Sequence, residues 1–511
     1  MTAAVQPLPA ATQSGPVTTA RIIALTAIAL GVAADLMLRV TWGLNAALWF
    51  AALTAVALWA RRSGRSGTWT AEWYWFVPAL SGALLLAFRY SGAVRFLNLA
   101  MVLLSLTLPM LHHRLVNLRS ALPSDLVMAA VRMALTVLIA PFQLAPELVE
   151  RGRGESPGVQ RVRAIAGGLL VGIPIALVFS VLFAQADPVL RTALEGLFDW
   201  RIEKLIEHAT VFGVFAWFAA GITRAMALRE ARDAAPFLFT FTAPFTPPLT
   251  SVVTVLATTA GAFLLFVGSQ AGQLFAGADL IVTTPGLSYA KHAKDGFFEL
   301  LAVSVLVLPL SYASEWLTEK APAKGRTSLR SMQIVLLILV FLVMLSAAYR
   351  MQLYVGAYGL TEDRLYGSAL MLWLAIVAAG FGATVLRGHR RSFTRVVVGA
   401  SFAVVGSLNV VNPDALIARV NLGRYEAGRP LDAGYAATLG ADAIPVLERA
   451  LGSLPAADRC TLLNAWRGRQ LPDGWRSASY GLVRAKRALA RQAGASGCDR
   501  AEAEPSARRP S

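Results

Sequence analysis

The chain has 511 residues, of which 56% are hydrophobic and only 15% charged, with 47 basic residues against 30 acidic. A soluble domain carries roughly 45–50% apolar and about 25% charged residues, so composition excludes a water-soluble globular protein. The positive surplus does not point to nucleic acid, because polytopic membrane proteins keep Arg and Lys in their cytoplasmic loops.

The opening stretch, MTAAVQPLPAATQSGPVTTA, has neither a basic n-region nor an apolar h-region, which predicts a disordered tail over 1–20 and no cleaved signal peptide. Separated apolar runs of 17–25 residues follow, the length that crosses a hydrocarbon layer. They lie at 21–39, 43–60, 73–89, 93–111, 162–184, 204–225, 251–275, 293–314, 330–350, 365–386 and 395–411. The expected fold is therefore all-α, a polytopic transmembrane helical bundle of about eleven spans over 21–411.

Segment 124–145 is treated differently. Arg132 interrupts it, Pro141 and Pro146 close it, and Arg114, Arg119, Arg151 and Arg153 flank it on both sides, which predicts an interfacial amphipathic helix. With that segment left out, alternate loops collect Arg61, Arg62 and Arg65; Arg229 and Arg232; Lys320, Lys324 and Arg326; and Arg387, Arg390 and Arg391. Those loops face the cytoplasm by the positive-inside bias, so the N-terminus is expected inside and the C-terminus outside.

After 411 the apolar runs stop. Asn412 reads as an N-cap with Pro413 in the first helical position, and short helices are predicted at 431–440, 441–452, 457–468 and 475–492. Residues 412–498 then form a small helical extracytoplasmic region, and 499–511 a disordered tail. Both cysteines, Cys460 and Cys498, fall in that region, where a disulfide would persist; two unrelated thiols remain the alternative.

Ionisable groups inside spans are few. Asp35 and Arg39, four apart, read as a local ion pair, and Glu299 in the eighth span looks toward Arg350 or Arg364 for a partner. The loop YRMQLYVGAYGLTEDRLYG between the ninth and tenth spans is rich in tyrosine, which an interfacial aromatic belt explains better than it explains the arginines. There is no phosphate-loop, zinc-protease or nucleophile-elbow pattern and no Cys/His cluster with metal spacing, so neither cofactor nor metal is expected.

The stretches GLSYAKHAKDGFFEL (286–300), LYVGAYGLTEDRLYG (353–367), LNVVNPDALIARVNLGR (408–424) and LDAGYAATLGADAIPVL (431–447), with FAQADPVL (183–190) as a weaker match, carry a family likeness. Together they resemble an uncharacterised family of bacterial membrane proteins, domain of unknown function 4173, similar in type to 4153. The resemblance implies a candidate polar site of Asp187, Tyr289, Glu299, Tyr354, Tyr358, Arg364, Asn409, Asn412, Asp414, Asn421, Arg424, Asp432 and Asp442. Lys291 and His292 depart from the family pattern. It implies no activity.

On the expected topology all these motifs lie at or beyond the outer boundary of a bacterial cytoplasmic membrane. The expected function is that of a cell-envelope scaffold or binding protein rather than an enzyme, with the lipid bilayer, envelope proteins or lipid-linked molecules as partners. The alternatives are a transporter or lipid flippase, or a transferase or hydrolase acting on a lipid-linked substrate.

Overall fold

The computed structural model describes residues 16–63, 73–114, 121–149, 202–227, 247–275, 297–319 and 325–492, with Pro322, Cys498 and isolated positions between 158 and 183. Every regular element among them is helical. The bundle helices are α1 (Pro16–Leu38), α2 (Leu44–Ser63), α3 (Phe76–Leu85), α4 (Gly92–Thr107), α5 (Pro123–Val149), α6 (Ile202–Ala227), α7 (Leu249–Phe275), α8 (Phe297–Leu317), α9 (Arg326–Tyr358), α10 (Glu362–Thr384) and α11 (Arg390–Val411). Five further helices follow: α12 (Pro413–Glu426), α13 (Ala433–Thr438), α14 (Ile444–Ala450), α15 (Ala456–Arg467) and α16 (Tyr480–Arg491). Ten helices among the described residues are long and apolar enough to cross a membrane. The chain is a polytopic transmembrane helical bundle.

Side chains such as Leu265, Phe96, Leu306 and Leu345 stand well exposed on the bundle's outer surface. An apolar exterior of this kind suits lipid rather than water. Inside, one apolar core joins α1–α6 around Trp49, Phe50 and Leu53, and a second joins α7–α11 around Leu336, Leu374 and Phe381. Helix α11 contributes to both, through Val398 to the first and Ala400 to the second.

The helices α12–α16 form a cap over one end of this bundle. Its own core holds Ile417, Ala418, Ile444, Leu447, Leu462, Trp466 and Leu482. Cys460 and Cys498 are joined in a disulfide, with a Cα–Cα distance of 5.3 Å, that ties the chain beyond α16 to α15.

Two expectations change in detail. Pro16 starts α1, so 16–20 are helical rather than part of a tail: proline suits the first helical position, and Ala20 is buried against Leu144 and Ala220. Most of the tyrosine-rich loop is the last turns of α9, because nothing before Gly359 breaks the helix; the true turn is Gly359–Thr361. The span expected at 162–184 lies largely outside the described residues, as does the rest of the tails.

Helix α5 has the length and hydropathy of a span, 22 residues of it, yet both its ends lie away from the cap. Just before its start the Ala121 carbonyl accepts from Thr394 in the first turn of α11, and near its finish Glu147 pairs with Arg224 in the last turn of α6 at 2.6 Å. Leu144 meets Ala20 and Ile23 at the beginning of α1. Both ends of α5 therefore meet the end of the bundle remote from the cap. By contrast Glu207 and His208, near the start of α6, meet Arg39 and Asp35 at the cap end.

Candidate functional site

The seam between cap and bundle is built from helix termini, which leave unpaired amides at their starts and unpaired carbonyls at their ends. At the end of α11, buried Arg89 donates from Nε to the Asn409 carbonyl at 2.7 Å and from a terminal nitrogen to that of Val410 at 3.4 Å. The same guanidinium lies 3.9 Å from Asp442, whose other oxygen accepts the Tyr90 amide at 2.6 Å. One turn inside the bundle, Asn98 of α4 and Asn409 exchange side-chain amide hydrogen bonds of 2.7 and 3.1 Å, so two buried polar side chains satisfy each other. Asn412, in the left-handed conformation at φ 59°, ends α11 and caps α12 through Ala415 N.

A parallel arrangement closes α9. Arg424 donates to the carbonyls of Gly356 at 3.1 Å and Ala357 at 2.9 Å. Asn421 clamps Leu360 from both sides, accepting from its amide and donating to its carbonyl, each at 2.8 Å. Arg364 donates to the Gly359 carbonyl and stacks 3.8 Å above the Tyr354 ring, which meets Tyr358 edge-on. The Glu362 amide at the start of α10 donates to the Tyr435 hydroxyl at 2.8 Å, and Asp432 caps α13 by accepting from Tyr435 N.

Gly359 makes this turn feasible. Its φ is +86°, and an added Cβ would stand 2.5 Å from Asn421 Oδ1 and 2.7 Å from an Arg424 nitrogen. Gly359→Ala is expected to cost about 1–3 kcal/mol. Gly356→Ala, where nothing lies within 4 Å, should leave the thermal midpoint in detergent unchanged or slightly raised.

Further elements dock in the same manner. Tyr480 and Gly481 amides at the start of α16 donate to the Ala87 and Phe88 carbonyls after α3, while Leu44 and Asn45 amides at the start of α2 donate to the Ala478 and Arg476 carbonyls. Arg476 donates to the Leu36 carbonyl near the end of α1 at 2.8 Å.

Asp414 differs from these. It is 0% exposed, and neither carboxylate oxygen has a hydrogen-bond partner. Burial, reinforced by the charges of Asp442 and Glu362, pushes its carboxyl up to about 7. Asp442 is also raised, by burial, against the opposing pull of the Tyr90 amide and Arg89. A side chain at Gly440 would run directly into Asp414, so glycine there permits the close approach.

The seam thus brings together Tyr354, Tyr358, Arg364, Asn409, Asn412, Asp414, Asn421, Arg424, Asp432 and Asp442. Glu299 is not among them: it stands exposed in the first turn of α8, and among the described residues no ion pair joins it to Arg350 or Arg364. The expected bridge fails because Arg364 is already held by Gly359 and Tyr354. Asp187 and Tyr289 lie outside the described residues. Asp35 and Arg39 do pair at 3.2 Å, with His208 of α6 added at 2.7 Å from Asp35.

Sequence reasoning missed Arg89 and Asn98. The latter carried a signal, since an amide inside an apolar run needs a partner on another helix.

No curated protein and no solved structure matches the chain. A family model does, over residues 76–450, which begins at α3, ends with α14 and so takes in the bundle from α3 onward together with most of the seam. The chain belongs to the family described as Domain of unknown function (DUF4153).

Proposed function

We propose that this protein is a membrane-anchored scaffold or binding protein of the bacterial cell envelope, which holds a rigid helical cap on the outer face of the cytoplasmic membrane. The observation that carries the reading is how the seam's polar groups are used. Arg89, Arg424, Asn421, Arg364 and Tyr435 all bond backbone groups at helix ends or in the connecting turn, which fixes the cap without any reactive group. A transport pathway is less well supported, since Asp35 is tied to Arg39 and His208 while Glu299 stands apart from them.

Orientation rests on charge and chemistry. Arg61, Arg62, Arg326, Arg387, Arg390 and Arg391 sit in turns or helix ends remote from the cap, where the positive-inside bias favours the cytoplasm. The arginines of the cap do not oppose this, because whole domains translocate largely regardless of charge. The Cys460–Cys498 bridge suits an oxidising compartment.

The test is a single cysteine at exposed Thr438 or Asn464, in a chain with Cys460 and Cys498 changed to serine, treated with a membrane-impermeant maleimide. Labelling in intact cells is expected; labelling only after permeabilisation would overturn the orientation. Arg424→Ala and Arg364→Ala should each lower folded yield, since a charged hydrogen bond to a carbonyl is worth roughly 1.5–3 kcal/mol. Normal yield together with a lost cellular phenotype would instead indicate a working site.

A further inference from the structure

Beside the seam lies a recess of about 320 Å³, on the order of ten times the ~30 Å³ share of one water molecule. Three helices of the cap each send one arginine to its wall: Arg419 from α12, Arg449 from α14 and Arg484 from α16. Arg419 and Arg449 are each steadied by an Nε bond to the carbonyl four residues earlier, Ala415 at 3.1 Å and Pro445 at 3.0 Å, which leaves the terminal nitrogens of the fork free to face a ligand. Among the described residues none of the three forms an ion pair with an acid. The acid on the wall, Asp442, already accepts from Tyr90 and faces Arg89.

The level of this recess in the protein is as telling as its charge. Its wall includes Asn412, the residue immediately after the last apolar turn of α11, where Val410 is 81% exposed and Val411 is exposed as well. Exposed Phe88 and Tyr480 stack at 5.2 Å nearby, and exposed Val483 adjoins Arg484. Apolar surface at the rim of a span meets acyl chains, and the layer just above it is where lipid phosphates lie. Forked guanidinium groups suit phosphate oxygens in a way that single ammonium charges do not.

We propose that the recess binds the phosphate of an anionic glycerophospholipid from the leaflet on the cap side, with its acyl chains along Val410 and Val411. This inference rests on the reading of the protein as a membrane-anchored binding protein and names the ligand class for it.

The whole chain, purified and placed in nanodiscs, can be probed with phosphatidylglycerol against phosphatidylcholine, with retained lipid counted by native mass spectrometry. Phosphatidylglycerol should be preferred, and Arg419→Gln with Arg449→Gln and Arg484→Gln should reduce that preference at least about tenfold. Arg429→Gln with Arg459→Gln and Arg487→Gln, an equal loss of charge elsewhere on the cap, should change it less than about twofold. Arg449→Gln alone, on an exposed side chain, tests the site if the triple variant folds poorly, and should itself weaken retention.

No preference in the unaltered protein, equal losses in both triple variants, or full retention in the recess variants would overturn the proposal. Complete displacement by millimolar inorganic phosphate would overturn the lipid assignment in favour of a soluble anion. Maleimide labelling of the same preparations in cells separates the two ideas: an accessible cap without lipid preference refutes the recess alone.

Discussion

Arg89→Met is expected to detach the cap, with a loss of about 3–5 kcal/mol, the cost of leaving a buried partner charge uncompensated. The guanidinium bonds the last carbonyls of α11 and faces Asp442, which is only 5% exposed. Methionine keeps most of the volume and supplies no donor, so the carbonyls of Asn409 and Val410 lose a donor and the Asp442 carboxylate, left with the Tyr90 amide, loses its facing positive charge. Protease sensitivity of the cap in detergent, at constant bundle helicity by circular dichroism, reads the effect. Adding Asp442→Asn should recover part of the loss, because it removes the orphaned charge; losses that simply add would show that the two groups act independently.

The second large effect has the opposite sign. Asp414 is raised from 3.8 to about 7 in the folded chain. A carboxyl whose folded pKa lies above its unfolded value binds protons preferentially in the folded state, so its stability contribution falls as pH rises from about 4 to about 7. Between pH 5 and 8 the cap should lose roughly 2–3 kcal/mol from this group, at about 1.36 kcal/mol per pKa unit. Asp442 and Glu362 add to the penalty, and Arg469 and Arg89 moderate it. Asp414→Asn should abolish most of that slope and leave the cap more stable than the unaltered protein at pH 8, while the two nearly coincide below pH 5. Thermal midpoints across that range, followed by the tryptophan signal of Trp466 in the cap core, decide it; parallel slopes for the two proteins would remove Asp414 as the cause.

The two predictions separate what the seam residues do. Arg89 belongs to a satisfied network, in which removal is costly, whereas Asp414 is a buried acid without a partner, in which neutralisation relieves a penalty. The residues that the family resemblance drew together include both kinds. Asn412 could be read as a cap from local pattern, and it is a cap here; Asp432 proves to be one as well. Asn421, Arg424 and Asp442 could not be assigned roles in that way, because their partners Leu360, Ala357 and Tyr90 lie far off in the chain.

Glu299 shows the complementary failure. Its position inside an apolar run makes it a functional hypothesis by default, yet a side chain in the first turn of a helix can reach outward, and that is where it stands. Segment 124–145 was set apart from the spans by its charge pattern, whereas α5 has the length and hydropathy of a crossing helix, with contacts at both ends to the end of the bundle remote from the cap.

By itself the sequence determined that the chain is built of apolar helices, where most of them lie and where the cap begins, since a lipid-embedded helix must satisfy its own backbone within one run of about 20 residues, a purely local requirement. Only the tertiary structure decided which helix ends the cap closes and which cap arginines, among the described residues, form no ion pair. Arg89 reaches Asn409 across 320 residues, and a hydrogen bond between such distant positions follows from packing alone.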